Sequence, residues 1–226
     1  MCIRGDDICM ERCVSEPYSP YDYVRQTAPY PAYDVWGELT DEERDAVLSF
    51  QDLGSRQDSW SVEAPDPVHV NCSIVNSYLR FPGFAQEMSS ADLRLCGELI
   101  SLLDSAISKS VLPKGLNVIR GLADPRWISG FLEDDIYIES GYGSYSLSVD
   151  AAIRYAQVNS DGYMVFLARN LQSGDKALYL GEKEDEMLVG RGKEYLIDEI
   201  VSVQKGDLSP VCKSIVYILE EAYYNL

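Results

Sequence analysis

The sequence predicts an α+β protein, with helices first and strands afterwards. From about residue 37 to 112, helix caps and apolar residues recur at helical spacing. After Gly115 the chain turns to short apolar runs separated by Gly, Pro, Asp and Asn. Of the 226 residues, 46% are hydrophobic, which is enough for one substantial core, so one domain, or one domain with a tail, is expected. No internal repeat is visible.

Residues 1–36 are rich in Tyr, Pro and Cys and follow neither period, as in Glu16-Pro17-Tyr18-Ser19-Pro20-Tyr21, which marks an irregular tail or docking segment before a domain over 37–226. The Arg4-Gly5-Asp6 triplet resembles an adhesion motif but is too common by chance to carry meaning. Order is expected from Leu39, where Thr40 and Glu43 form a capping box and Ala46, Val47, Phe50 and Leu53 share one helical face. Residues 54–66 read as loop. A second helix over Val70 to Arg80 must stop ahead of Phe81-Pro82, because the residue before proline avoids helical angles. Ser89 and Ser90 open a third helix with Cys96, Leu99, Ile100, Leu103 and Ile107 on one face, ending near Pro113. Strands are predicted over 116–122, 135–139, 163–168, 177–180, 187–189, 195–201 and 214–219, with one helix over 147–158 capped by Ser148.

Composition removes several functions. A formal net charge of −18 argues against a broad nucleic-acid surface, which needs clustered Lys and Arg, so an anionic small ligand would have to be held by a few specific arginines. The six cysteines are scattered and His69 is the only histidine, so neither a zinc site nor a histidine-dependent triad is expected; free thiols are. No apolar run is long enough to span a membrane, and the first residues are too polar for a signal peptide, so a soluble, cytosolically made protein is expected.

The chemistry is expected at Gly181 to Gly192, where a charged turn runs into a short apolar segment. If a strand begins near Met187, residues two apart share a face, and Glu184 and Glu186 can look into one site. The alternative is a solvated acidic hairpin, since the whole chain is acidic. Two further motifs precede this one: Val118-Ile119-Arg120-Gly121, and Gly141-Tyr142-Gly143-Ser144-Tyr145-Ser146. The ordered set Arg, Ser-x-Ser, Glu-x-Glu resembles the cholera-toxin-type mono-ADP-ribosyltransferases, the Arg-Ser-Glu class. Val75-Asn76-Ser77-Tyr78-Leu79-Arg80 looks like the Ile-Asn-x-x-Leu-Arg helix of toxin-like members, and residues 172–180 are similar to the turn and strand ahead of their Glu-x-Glu. The resemblance covers about residues 37 to 226. It departs at Ile119, where Tyr is common, at Tyr145, which replaces the middle Thr, and at Gly190, which replaces Pro. The turn over 181–183 also lacks the aromatic that many relatives use to recognise a target protein.

The resemblance implies an ADP-ribosyltransferase-like fold: an N-terminal helical lobe, then two packed, mostly antiparallel sheets around a cleft for NAD, the substrate, with no metal. It implies that Glu186 stabilises the ribosyl cation, that Glu184 orients and deprotonates the acceptor, and that Ser144 braces the catalytic glutamate. It also implies that Arg120, Arg80 and Asn76 hold NAD, that Gly121 lets the backbone approach the nicotinamide, that Ser144 shapes the nicotinamide pocket, and that Tyr142 takes the place of the motif's aromatic in the cofactor site. The expected partners are NAD and a target protein carrying an acceptor arginine, as for a phage product or an injected bacterial effector. Two rivals remain open: an NAD glycohydrolase of the same fold, and an inactive binding module.

Overall fold

The computed structural model describes residues 35–51, 70–110, 112, 115–159, 161–172, 174–181, 185–203 and 213–221. The expected tail, apart from Val35 and Trp36, lies outside these residues, as do His69 and Glu184. Val35 and Trp36 pack against the helical core, the latter opening a 3-10 turn over Trp36–Glu38, so the described domain starts slightly before Leu39.

Three helices form one layer: α1 (Asp41–Gln51), α2 (Cys72–Arg80) and α3 (Ser90–Ser108). The capping box is present, with Thr40 N–H donating to Glu43 Oε2 at 2.7 Å and Glu43 N–H to Thr40 Oγ1 at 3.2 Å. Glu43 also ties two helices together, because it accepts from Ser105 Oγ at 2.7 Å and from Lys109 Nζ at 2.6 Å, at the end of α3. Burial opposes its charge, but Lys109, the Thr40 amide and Ser105 together hold its carboxyl down to about 2. Asn71 caps α2, which ends at an extended Phe81 ahead of Pro82; Ser89 caps α3.

The strands are β1 (Leu116–Gly121), β2 (Ile136–Glu139), β3 (Gly143–Ser146), β4 (Tyr163–Leu171), β5 (Ala177–Tyr179), β6 (Glu186–Val189), β7 (Lys193–Val203) and β8 (Lys213–Glu221). They form one hydrogen-bonded array in the order β2-β7-β8-β4-β1-β3-β6-β5, antiparallel except for β4 with β8. The two sheets expected from the sequence are the two halves of this array. Five strands end at β1, three begin at β3, and the register between them is the single pair Ile119↔Ser146. About that seam the halves pack face to face over a shared core that contains Val118, Leu167 and Tyr195 from one side and Tyr145, Met187 and Val189 from the other.

Alternation along the strands feeds three separate cores. In β6, Met187 and Val189 enter the inter-sheet core while Leu188 enters the helical one, so a strand covered on both faces reads as a continuous apolar run. In β1 and β4, Ile119, Phe166 and Ala168 face outward against the fourth helix, α4 (Val149–Tyr155). That helix is shorter than the predicted 147–158, because the chain leaves it at an extended Ala156 and Gln157 N–H bonds the Leu122 carbonyl at 3.2 Å. Strand β3 was not predicted. Gly-Ser-Tyr-Ser has little strand propensity of its own, and it is held by pairing with β6 from Gly143↔Val189 to Ser146↔Glu186.

Candidate active site

The seam opens into a cleft of about 950 Å³ beneath the helical layer, lined by Gln51, Arg80, Arg120, Trp127, Ser144 and Glu186 among others. On the three-strand side, the register sets Glu186 opposite Ser146 and one step diagonally from Ser144. The Ser144 hydroxyl donates to Glu186 Oε1. Gln51, the last residue of α1, donates from Nε2 to Glu186 Oε2 at 3.1 Å. The carboxylate therefore has one neutral donor on each oxygen, one from the sheet and one from the helical layer.

The opposite side is built around an acid that the sequence analysis did not single out. Glu139, at the end of β2 and only 1% exposed, accepts from Arg80 Nη2 at 2.8 Å on Oε1. Its Oε2 accepts from Arg120 Nη1 at 3.1 Å and from the Tyr137 hydroxyl at 2.6 Å. Burial alone would raise its carboxyl, but Arg120, Arg80 and the Tyr137 hydroxyl hold it below the ordinary carboxylate range. Burial likewise works against the Arg120 charge, and Glu139 restores it. Tyr137 is fixed in turn by rings on three sides: Trp127 at 5.2 Å, Phe131 at 6.3 Å and Tyr195 at 6.2 Å between centroids.

Asn76 and Tyr142 lie at the cleft but are turned to other work. Asn76 Oδ1 accepts from Tyr142 N–H at 2.8 Å, and its Nδ2 donates to the Tyr142 carbonyl at 3.3 Å, so both amide functions clamp one backbone unit. The Tyr142 side chain is fully buried, edge-on to Phe50 at 5.5 Å, and its hydroxyl donates to Asp104 Oδ1 at 2.7 Å, away from the seam. Arg191 Nη2 pairs with the other Asp104 oxygen at 2.7 Å, which joins the strand-end turn to α3.

Two glycines have steric reasons. A Cβ on Gly121 would stand 2.0 Å from the Ala152 carbonyl oxygen, so its missing side chain is where α4 packs on β1. A Cβ on Gly141 would stand 2.5 Å from Asn76 Oδ1 and 3.0 Å from Arg80 Nε, so this glycine admits the side chains that α2 sends to the cleft. Cys72 is a free thiol that also lines the cleft, pushed up by burial and by the nearby Glu186 charge. Among the described residues no group of three His, Cys, Asp or Glu side chains is placed to hold a metal ion, and no described helix is long and apolar enough to cross a membrane.

The structure thus brings Arg80, Arg120, Ser144 and Glu186 to one cleft, whose lining also includes Gly121, Asn76 and Tyr142. Glu139 and Gln51 are additions. Glu139 carried a faint signal, as an acid closing an apolar strand; Gln51 carried none, because its contact spans 135 residues.

A helical layer over a split, mostly antiparallel sheet, with the cleft at the split, is the architecture of the ADP-ribosyltransferase toxins. Plx2a, an ADP-ribosyltransferase toxin from Paenibacillus larvae, superposes with a TM-score of 0.59 at 20% identity, over 84% of this chain and 91% of that one. The Clostridium limosum C3 exoenzyme gives 0.55 at 16% identity, over 88% and 100%. The ADP-ribosylating toxin BECa of C. perfringens, solved with NADH, gives 0.57 at 18% identity over 81% of this chain, which spans 44% of the length of that toxin. At these identities the likeness is one of fold. Family membership comes from the sequence itself: the profile of the ADP-ribosyltransferase exoenzyme family matches residues 68–217, well over half of the chain, and the chain belongs to that family of NAD-dependent ADP-ribosyltransferases. Among curated proteins, none matches the sequence.

Proposed function

We propose that the chain moves ADP-ribose from NAD to an arginine side chain of a target protein. The observation that carries this reading is the placement of the Ser144-bonded Glu186 carboxylate and the Arg80–Arg120 pair in one cleft. Family membership and a neighbour solved with NADH support NAD as the donor.

The chemistry fits these residue types. The bond between the ribose anomeric carbon and the nicotinamide nitrogen breaks, nicotinamide leaves with the electron pair, and positive charge develops on the ribose ring. Glu186 faces that charge and takes the ribose 2′-hydroxyl as donor, while Ser144 holds its orientation. The two guanidiniums bind the pyrophosphate, for which their planar forks are suited. Glu184 takes a proton from the acceptor guanidinium, which is no nucleophile while charged, and the new bond joins its nitrogen to the ribose carbon.

The test follows the label. Incubation with a host lysate and NAD labelled in the ribose should put label on protein, and mass spectrometry should find it on arginine. Label recovered only as free ADP-ribose would make the chain a glycohydrolase, and no NAD binding at millimolar cofactor would make the cleft vestigial. Glu184→Gln should abolish arginine modification while slow NAD hydrolysis persists, because water is the less demanding nucleophile. Equal loss of both activities would remove Glu184 from the acceptor role.

A further inference from the structure

Arg80 and Arg120 come from different layers of the fold, one ending a helix and the other near the end of a strand, and like charges left side by side would repel. What joins them is a single carboxylate. Each oxygen of Glu139 takes one guanidinium nitrogen, at 2.8 and 3.1 Å, and the three side chains together keep one net positive charge. Among the described residues, Nε and Nη1 of Arg80 and Nε and Nη2 of Arg120 have no hydrogen-bond partner, so the lock occupies only one edge of each fork. A second feature agrees: a Cβ on Gly141 would collide with Asn76 Oδ1 at 2.5 Å and press on Arg80 Nε at 3.0 Å, so the bare backbone there leaves room for both side chains.

We propose that Glu139 is the positioning residue of the cofactor's anion site, holding Arg80 and Arg120 as one preformed pair aimed at the pyrophosphate. It touches neither the substrate nor the reacting atoms. Tyr137, wedged among three rings, fixes the carboxylate, the carboxylate fixes two cations, and the cations present their free donors to the cleft. Pre-organisation of this kind removes the entropy of immobilising two long side chains when the ligand arrives. The proposal rests on the assignment of both arginines to NAD.

The experiment measures NAD affinity by calorimetry on the full chain, and inhibition of NAD hydrolysis by inorganic pyrophosphate and by adenosine. Glu139→Gln should weaken NAD about tenfold or more, the loss expected when a charge-assisted hydrogen bond is misaligned. The effect should fall on KM more than on kcat. Pyrophosphate inhibition should weaken in parallel while adenosine, which carries no phosphate, inhibits as before. A loosened cleft would weaken both inhibitors equally and overturn the proposal. Adding Arg80→Ala to Glu139→Gln should cost less than Arg80→Ala alone, since Arg80 has already lost its place; strictly multiplicative losses would also overturn it.

If Arg80→Ala and Arg120→Ala each weaken NAD while Glu139→Gln changes affinity less than twofold, the NAD site stands and the positioning role falls. If neither arginine variant weakens NAD, the site assignment falls and the proposal with it. Should Glu139→Gln fail to fold, Glu139→Asp decides. It keeps the charge but is too short to span both guanidiniums, so unchanged NAD affinity in that variant would end the proposal.

Discussion

Two carboxylates serve the cleft in opposite circumstances, Glu186 in its lining and Glu139 buried behind the arginines that line it. Glu186 is half-buried, and its two oxygens meet a hydroxyl and an amide, neither of which carries charge. Glu139 is shut away from solvent and its oxygens meet two guanidiniums and a phenol. A charge held by neutral donors keeps its field for whatever enters the site, whereas a charge paired with two cations has its field cancelled locally. Only the first can act as counter-charge to a developing ribosyl cation. On the proposed function, the second organises the cations that would face the donor's own negative charge. One cleft thus uses the same functional group twice, and the neighbours decide which work it does.

The largest effect that would break this comparison is at Glu186. Glu186→Gln keeps the shape and one of the two accepted hydrogen bonds but removes the uncancelled charge, so NAD hydrolysis and transfer should both fall roughly a hundredfold or more, the usual size of such an electrostatic contribution. The thermal midpoint should barely move, because the residue is half-buried and its partners are neutral. A collapse of the fold with equal loss of NAD affinity would place Glu186 beside Glu139 as a structural acid.

A smaller and differently shaped effect is expected on the other wall. Arg120→Lys keeps a positive charge for Glu139 but loses the planar fork, at a cost of about 1–3 kcal/mol in NAD binding. The loss should appear in KM with kcat nearly preserved, as measured by initial rates over a range of NAD concentrations. Loss in kcat alone would bring Arg120 into the bond-breaking step.

Acid separates a third carboxylate from these two, far from the cleft. Glu43, lowered from 4.5 to about 2, contributes stability that is fully present above the ordinary value and is lost as pH falls through the lowered one. Lys109→Met leaves the buried charge with hydrogen bonds only, so acid unfolding followed by circular dichroism should begin at higher pH than in the parent. An unchanged acid midpoint would show that Thr40 and Ser105 suffice. Glu139 carries the same sign, so NAD affinity should hold down to the ordinary carboxylate range and weaken only below it.

The walls also differ in how far they could be read from the chain. Arg120, Ser144 and Glu186 lie in short motifs whose order along the sequence is their order around the seam, so a resemblance could find them. The helical layer was legible because the Thr40–Glu43 box and Ser89 are local, and so are the apolar faces behind them; Asn71, inside the expected 70–80 helix, is instead its cap. Strand β2 misled. Its alternation of Ile136 and Ile138 with Tyr137 and Glu139 would bury the isoleucines, yet these are 39% and 54% exposed on an edge strand while Tyr137 and Glu139 are inside. The acid is tolerated there only because one arginine 19 residues earlier and another 59 residues earlier arrive to pair with it. No local pattern carries that information. The same holds for β3, whose Gly and Ser residues acquire strand geometry from β6.

The smallest expected effect sharpens the comparison most finely, because it concerns a neutral donor on Glu186. Gln51→Met keeps the length and bulk of the side chain at the end of α1 and removes only the amide that reaches Glu186 Oε2. If that bond orients the carboxylate for the ribose hydroxyl, its loss should cost about 1 kcal/mol, the net value of one hydrogen bond, and lower kcat severalfold at unchanged KM. Removal of the donor leaves the charge itself in place, so the fall must be far smaller than for Glu186→Gln. A variant as fast as the parent, or faster, would show that the ribose hydroxyl displaces Gln51 from the oxygen. The helical layer would then occupy the Glu186 carboxylate between turnovers rather than aim it.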